Sequence, residues 1–320
     1  MALVRLLYAC LALLLSAGLA CAQTYPSKPV RVVIVFPPGG SNDVVGRIVF
    51  QKMTEQLGQQ FVIENRGGAA GTIGSEVVLN SPPDGYTIMV QSATHVANAH
   101  LYKKLPYDPL KDFIGVTPLA RQVGVLAVHP SLPVRTTKDF IALAKSRPGE
   151  LIYGSAGNGS FVHLTMALFA NMTGLKMIHV PYKGGGPAGT ALVAGETQAM
   201  IATIGSLFNH IKSKRVRPIA VTSDTRTAQF PDLPAIAETV PGYEFTAWVA
   251  CFAPAGTPRS IVDKLNAELK KALADPNVSS KLSAQTLDPM HMSVDEFAKR
   301  LKSDYDKYGK VVKLSGARID

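Results

Sequence analysis

The chain has 320 residues, of which 47% are hydrophobic and 18% charged, and its formal net charge is +10. This composition excludes intrinsic disorder, which needs low hydrophobicity and high charge, and the length is enough for one large or two ordinary domains. Three cysteines are too few for a disulfide framework. The basic residues are scattered and support an anionic ligand only weakly. The densest basic run lacks the interleaved aromatic side chains of single-strand binders, so we expect no nucleic-acid partner.

The first 22 residues predict a signal peptide. Arg5 is the only early charge, Leu6–Leu19 is apolar, and Ala20-Cys21-Ala22 fits an A-x-A cleavage site that would leave Gln23 first. The alternative is a lipoprotein acylated at Cys21, for which Gly18 is a poor fit because a branched apolar residue is usual there. We therefore expect an exported protein.

The mature chain repeats a unit of apolar strand, glycine-rich loop and amphipathic helix. The first block is predicted to contain strands at Val30–Phe36, Phe61–Ile63 and Tyr86–Val90, and helices along Val45–Leu57, up to Leu79 and over Ser92–Asn98. A second block, beginning near Arg121, is predicted to contain strands at Val123–Val128, Leu151–Tyr153, Met177–Val180, Gln198–Thr203 and Val216–Thr222, with helices between them.

The end of the chain is predicted to return to the first block. A strand begins near Phe245, and Thr257 is expected to cap a helix with Pro258 at its first position. Helical patterns then continue to about Val312.

Alternating strands and helices predict an α/β fold of two lobes, each a mainly parallel sheet flanked by helices. The expected division is a signal peptide over 1–22, a first lobe over 23–122 and 245–320, and a second lobe over 123–244. In such sheets a ligand binds outside the carboxyl ends of the strands, where the glycine loops lie.

Three loops share one physical character: Pro37–Asn42, Gly154–Ser160 and Lys183–Pro187. Each follows a predicted strand and opens a helix, whose first turn has unpaired N–H groups and a partial positive charge. Glycine lets an anion approach that backbone closely. A tight turn is the better explanation for any single such loop, but several on two lobes favour an anion site.

Three common enzyme motifs are absent from the sequence. No loop fits the P-loop, no G-x-S-x-G occurs, and there is no H-E-x-x-H. We therefore expect no catalysis, no metal and no cofactor. His163 directly follows the second glycine loop and either faces the ligand or makes a structural hydrogen bond.

Seven short motifs occur in order: Pro37-Pro38-Gly39-Gly40-Ser41-Asn42-Asp43, Glu64-Asn65-Arg66-Gly67-Gly68, Asp84-Gly85-Tyr86-Thr87, Tyr107-Asp108-Pro109, Ser155-Ala156-Gly157-Asn158-Gly159-Ser160, Val180-Pro181-Tyr182-Lys183-Gly184 and Ala253-Pro254-Ala255-Gly256-Thr257-Pro258. Together they resemble the Bug family, the extracytoplasmic solute receptors of tripartite tricarboxylate transporters. The resemblance covers essentially the whole mature chain. Two departures from the family pattern, at Ala99 and Ala250, affect the expected shape of the pocket rather than the fold.

The resemblance implies a periplasmic, monomeric receptor of the type II-like Venus flytrap kind, without catalysis. Such a receptor binds a small carboxylate and delivers it to membrane permease subunits. The first lobe would hold the carboxylate by loop backbone and trapped water, and the second lobe by hydroxyl, amide and backbone donors. The residues expected to contact the ligand are Gly39, Gly40, Ser41, Asp43, Gly71, Thr72, Ser92, Ser155, Asn158, Gly159, Ser160, His163 and Lys183.

Several alternatives stay open. Asp43 would repel a carboxylate, so a structural or water-orienting role is favoured for it over the alternative of pairing with a ligand amine. Ser160 either contacts the ligand or caps a helix. Two other functions fit the same sequence: a sensory subunit that presents its ligand to a signalling receptor, and an enzyme that acts on an anionic metabolite in the same cleft. The identity of the carboxylate does not follow from the sequence, because variable loop side chains form the pocket walls.

Overall fold

A computed structural model describes residues 25–227 and 230–318, so the predicted signal peptide lies outside the described residues. The first elements are β1 (Val30–Ile34), α1 (Ser41–Leu57), β2 (Phe61–Asn65), α2 (Thr72–Leu79), β3 (Thr87–Ser92), α3 (Thr94–Leu101) and β4 (Phe113–Gln122). The next are β5 (Gly124–Val128), α4 (Thr137–Ser146), β6 (Ile152–Ser155), α5 (Phe161–Thr173), β7 (Ile178–Pro181), α6 (Gly185–Ala194), β8 (Ala199–Thr203), α7 (Ile204–Lys212) and β9 (Arg217–Val221). The last are β10 (Ala247–Pro254), α8 (Arg259–Ala274), α9 (Pro276–Ser283), β11 (Asp288–Pro289) and α10 (Val294–Ser315).

The strands form two sheets, in the orders β11-β4-β10-β3-β1-β2 and β7-β6-β8-β5-β9. In the first sheet β10 and β11 run against the other strands. In the second sheet β5 runs against its neighbours. The predicted α/β fold is therefore confirmed, and in each sheet most strands point one way. We call the part built on the first sheet the first lobe and the part built on the second sheet the second lobe.

The chain crosses between the lobes twice. β4 ends at Gln122 and β5 begins at Gly124, so the first crossing is direct. The return lies between β9 and β10, where the Phe245 N–H still donates to Thr222 of the second lobe at 3.0 Å. The domain boundaries proposed from the sequence, at 122/123 and 244/245, fall within these crossings and stay predictions.

Strand β1 shows why a continuous apolar run predicts a buried strand. Val30, Val32 and Ile34 pack into one core cluster with α1 and α8, whereas Val33 packs into a second cluster on the opposite face. All four side chains are fully buried. A strand covered by helices on both faces has no solvent side, so its side chains need not alternate in polarity.

The C-terminal helix α10 braces the return crossing. The indole N–H of Trp248 donates to Asp304 at 2.8 Å, and the Tyr308 ring packs edge-on against Phe245 with centroids 5.2 Å apart. The ammonium of Lys307 pairs with Glu244 at 2.5 Å. The predicted return of the C-terminal helices to the first lobe thus includes contacts to the crossing segment itself.

One local prediction is wrong, and one strand has no sequence prediction. Thr257 does not cap α8: its hydroxyl donates to Pro254 O at 2.8 Å, and Pro258 occupies the cap position instead of the first turn. The ten-residue strand β4 was not predicted, because Pro118 interrupts its apolar pattern and proline cannot donate to a ladder. The structure accommodates Pro118 through a shift of register against β10, between Val249 and Ala250.

Candidate ligand-binding site

A cavity of about 550 Å³ lies between the two lobes. Four segments meet there: the start of α1, the end of β4, the start of α7, and the turn after α9. Its walls are Gly39, Gly40, Ser41, Val44, Gln122, Val123, Thr203, Gly205, Ser206, Phe208, Asn209, Ala284, Gln285, Thr286 and Leu287. None of these described lining residues carries a charged side chain, so the cavity offers hydroxyls, amides and backbone groups as hydrogen-bond partners.

Two helix N-termini enter this cavity from opposite lobes. Gly40 precedes α1 and Thr203 precedes α7, and neither helix has a side-chain cap. The Thr203 hydroxyl instead donates to Ser206 Oγ at 3.2 Å. N–H groups left without intrahelical partners, together with the helix dipole, favour an anion at such a position.

A second cavity of about 470 Å³ adjoins the first in the first lobe, and the two share Gly40, Ser41 and Gln122. Ser92 and Thr94 lie on its far side, with their hydroxyls 2.9 Å apart. Asn42 also lines it, and the buried Asn42 Oδ1 has no hydrogen-bond partner among the residues that the structure describes. Buried polar atoms are nearly always satisfied, so an unpaired amide in this wall points to a missing partner such as water or ligand.

The first glycine loop is anchored by the Asp43 carboxylate. It accepts hydrogen bonds from the Gly39 N–H, the Arg47 Nε and the Asn65 amide, each at 2.9 Å. Burial disfavours the charged form, but these hydrogen bonds outweigh it and hold the pKa of Asp43 below its ordinary value of 3.8. The carboxylate therefore stays ionised and ties α1, the loop and β2 together.

The second glycine loop of this lobe packs tightly beneath the first. A Cβ at Gly67 would lie 2.9 Å from the Pro37 ring, and a Cβ at Gly71 would collide with the Gln91 amide. Gly71 has φ of +90°, which L side chains rarely adopt. Thr72 is buried, and its hydroxyl has no hydrogen-bond partner within the described part of the chain.

The Ser155–Ser160 loop of the second lobe satisfies most of its own donors. Ser160 caps α5: its hydroxyl accepts from the His163 N–H at 3.2 Å and donates to Gly157 O at 2.7 Å. The Gly157 N–H donates to Ser155 Oγ at 3.2 Å, and the Gly159 N–H donates to His163 Nδ1 at 3.1 Å. In this conformation these groups shape the loop rather than project into the cleft.

Besides the packing of α10 against α5, the lobes approach each other closely at two glycines. A Cβ at Gly159 would lie 2.7 Å from Leu101 in α3, and a Cβ at Gly205 would lie 2.7 Å from the Thr286 hydroxyl. Thr286 itself has φ of +59°, which is unusual for a β-branched residue. The absence of a side chain at each glycine is what permits the close approach.

Sequence and structure comparisons agree with this architecture. The profile of the tripartite tricarboxylate transporter family receptor matches residues 45–317. The chain belongs to this family. Protein BugT of Bordetella pertussis is 34% identical over 312 residues, with 95% of both chains covered. The resemblance noted from the sequence is thereby confirmed.

Two solved structures are similar to this receptor over nearly their full length. The R. palustris protein solved with adipate is 35% identical, with a TM-score of 0.80, and the match covers 92% of this chain and 100% of that one. MatC from Rhodopseudomonas palustris, with bound malate, is 31% identical, with a TM-score of 0.75 and coverage of 90% and 100%.

The predicted ligand contacts fall into three groups in the receptor. Gly39, Gly40, Ser41 and Ser92 line the cavities. Asn158 and Lys183 are exposed beside the glycine loops of the second lobe. The remaining predicted contacts are buried or engaged in loop structure: Asp43, Gly71, Thr72, Ser155, Gly159, Ser160 and His163. Direct contact with a ligand stays a prediction for every one of these residues.

Sequence reasoning missed the α7 edge of the cavity. Thr203, Gly205 and Ser206 follow an apolar strand and open a helix, so the signal used for the other loops was present there too. Gly185 of the third predicted loop is their neighbour, since a Cβ on it would lie 3.9 Å from Ser206 Cβ. Gln122 and Thr286 gave no local signal, because only the crossings and the C-terminal return bring them to the cleft.

Within the part of the chain that the structure describes, no helix is both long and apolar enough to cross a membrane. The same residues contain no group of three or more histidine, cysteine or acidic side chains placed to hold a metal ion.

Proposed function

We propose that the protein is a periplasmic receptor that binds a small carboxylate between its lobes and delivers it to membrane permease subunits. The observation that carries this proposal is the uncharged cavity into which two helix N-termini without side-chain caps converge from opposite lobes. Neutral donors and helix dipoles suit a carboxylate, since they satisfy its oxygens without a lysine or arginine at the wall.

The bound ligands of the two solved relatives support the same chemistry. One was solved with adipate and the other with malate, both small dicarboxylates. We propose that this chain takes a carboxylate of comparable size, acts as a monomer, and catalyses no reaction on it.

Calorimetry with the exported protein tests the ligand class. Adipate and malate are the carboxylate probes, and adipamide is the matched control, because it has the chain length of adipate without the charge. A carboxylate at 100 times its dissociation constant should stabilise the folded state by about 2.7 kcal/mol. Adipamide binding as well as adipate, or no carboxylate binding at all, would contradict the proposal.

Export is tested separately. We propose that the segment 1–22 directs the chain to the periplasm and is removed before Gln23. Amino-terminal sequencing of the periplasmic protein should therefore begin at Gln23. A lipid-modified amino terminus at Cys21 would instead assign a membrane-anchored receptor.

A further inference from the structure

Two stacked imidazole rings support the Ser155–Ser160 loop. The His163 and His179 rings are nearly parallel, at 8°, with centroids 4.0 Å apart. The Gly159 N–H donates to His163 Nδ1 at 3.1 Å, and His179 Nε2 lies 2.6 Å from Ser155 Oγ. We propose that this pair positions the loop at the closing edge of the cleft, and that it does so only while His163 is neutral. The effect on affinity rests on the proposed binding function.

The position of this loop matters because it meets the other lobe. Gly159 has φ of +72°, and Leu101 of the first lobe packs directly on its backbone. A change in the loop backbone therefore changes the contact between the lobes. Two-lobe receptors that close around a ligand depend on contacts of this kind.

The hydrogen bond fixes the protonation state of His163. A backbone N–H can only donate, so Nδ1 of His163 must carry a lone pair and the proton must be on Nε2. Protonation of Nδ1 would place two N–H donors against each other and break the bond to Gly159. The loop would then lose the support that its left-handed glycine needs.

Of the described residues around the pair, none carries a negative charge that would stabilise a proton on His163 Nδ1. Tyr153 of β6 stacks on His179 with centroids 4.8 Å apart, and burial raises the pKa of Tyr153 to about 12, so it stays neutral. Leu101, from α3, is apolar. Among the described residues, His179 of β7 is the group whose charge acts on His163, and burial together with that charge lowers the pKa of His163 to about 4. Burial also lowers the pKa of His179.

Two substitutions distinguish the effect of the hydrogen-bond acceptor at His163 from the effect of its imidazole ring. His163→Asn keeps an acceptor oxygen near the position of Nδ1 but does not titrate, whereas His163→Leu removes the acceptor. The matched control is His129→Leu, because His129 Nδ1 accepts the Ser131 N–H at 3.2 Å in the same lobe. Val128, next to His129, pairs with the first residue of β8, so this control lies at the sheet end remote from the cleft.

The measurement is the affinity for adipate by calorimetry at pH 7 and pH 3.5. At pH 7 we expect His163→Leu to bind about tenfold more weakly, and His163→Asn and His129→Leu to bind within about threefold of the unmodified protein. At pH 3.5 most of His163 is protonated, since its pKa is about 4, so between pH 7 and pH 3.5 the unmodified protein should lose at least about threefold more affinity than His163→Asn. Titration of adipate itself affects both proteins equally and cancels in this ratio.

Nitrogen NMR of the ligand-free protein gives a second measurement, which does not depend on ligand binding. At pH 7 His163 should show an unprotonated Nδ1 and a protonated Nε2. The opposite tautomer of His163 would overturn the proposal, and so would unchanged affinity in His163→Leu. It would also be overturned if His163→Asn bound adipate as weakly as His163→Leu, or if the affinities of His163→Asn and the unmodified protein depended equally on pH. If His163→Leu does not fold, the pH dependence of adipate affinity in His163→Asn and the tautomer of His163 still test the proposal. If the unmodified protein does not bind adipate, the proposed function fails for this ligand while the NMR measurement still tests the loop.

Discussion

One glycine loop in each lobe is held by a hydrogen bond from a glycine N–H, but the side chains that accept these two hydrogen bonds differ in chemistry. In each loop a glycine in the left-handed region donates its N–H to a side chain four residues later, inside the first turn of the following helix. In the first lobe Gly39 donates to Asp43, and in the second lobe Gly159 donates to His163. The acceptor is a charged carboxylate in one loop and a neutral imidazole in the other.

Because of this difference, the hydrogen bonds that hold the two loops persist over different pH ranges. Asp43 stays ionised down to acidic pH, because hydrogen bonds from Arg47, Gly39 and Asn65 overcome the effect of its burial. His163 accepts only while unprotonated, and since its pKa is about 4 it loses this role when the pH falls through that value. The loop at one edge of the cleft is therefore held by a carboxylate that stays charged. The loop at the other edge is held by an imidazole that no longer accepts a hydrogen bond once it is protonated.

The largest expected effect comes from removal of the charged anchor. Asp43→Ala leaves three donors without their acceptor in a buried site, so we expect the free energy of unfolding to fall by about 3 kcal/mol. The half-exposed Arg47 keeps the loss below that of a fully buried pair. Urea unfolding at pH 7 measures the change.

Asp263→Ala is the matched control for that substitution. Arg259 and Asp263 also form an Arg–Asp pair one helical turn apart, at 2.8 Å, but both side chains are exposed. Removal of an exposed pair should change stability by about 0.5 kcal/mol or less. Equal losses in the two variants would show that Asp43 is an ordinary surface charge and would break the contrast between the two loops.

Sequence patterns predicted the parts of this contrast that are local. The apolar runs at β1 and β6, with the glycines after them, placed Gly39 and Gly159 correctly on strand–loop–helix turns, because such turns depend on neighbouring residues. Charge alone favoured a structural or water-orienting role for Asp43, since an aspartate facing a carboxylate would repel it, but did not decide between these roles. The capping role of Ser160 was left open, since a hydroxyl before a helix serves a cap and a ligand equally well.

Non-local features escaped sequence reasoning. Gln122, Phe208 and Thr286 line one cavity although they are far apart in sequence, and only the folded chain brings them together. The bond from Asn65 to Asp43 likewise joins two elements that no pattern connects. Strand β11 has two residues, too few for any periodicity to show.

The second prediction concerns stability against pH. Burial, with the charge of His179 as the lesser cause, lowers the pKa of His163 from its ordinary 6.5 to about 4. Between these values the unfolded chain carries a proton that the folded chain does not, so the free energy of unfolding falls as pH drops. This contribution of His163 should amount to about 2 kcal/mol between pH 7 and pH 4.5.

The His163→Asn variant isolates that contribution in urea unfolding at several pH values. His95 of the first lobe is fully buried, and burial lowers its pKa to about 4 as well, so the variant should retain part of the pH dependence. The variant should lose about 2 kcal/mol less than the unmodified protein over this range. Asp43→Asn should leave the same slope unchanged, because Asp43 stays ionised there. Identical slopes for His163→Asn and the unmodified protein would mean that the second loop does not titrate.

The smallest effect is expected at Gly205, where the second lobe approaches Thr286 of the first lobe. Gly205→Ala would place a Cβ 2.7 Å from the Thr286 hydroxyl, so the first and second lobes could no longer approach as closely. Affinity for adipate should weaken by about threefold, or roughly 0.7 kcal/mol, if closure requires this contact. The melting temperature should not fall, because alanine favours a helix more than glycine does.

Gly186→Ala is the matched control, since a Cβ there meets nothing within 4 Å. Weaker binding by Gly205→Ala alone would show that the cleft closes onto Thr286. Equal affinities would show that closure around the ligand does not require the contact of Gly205 with Thr286.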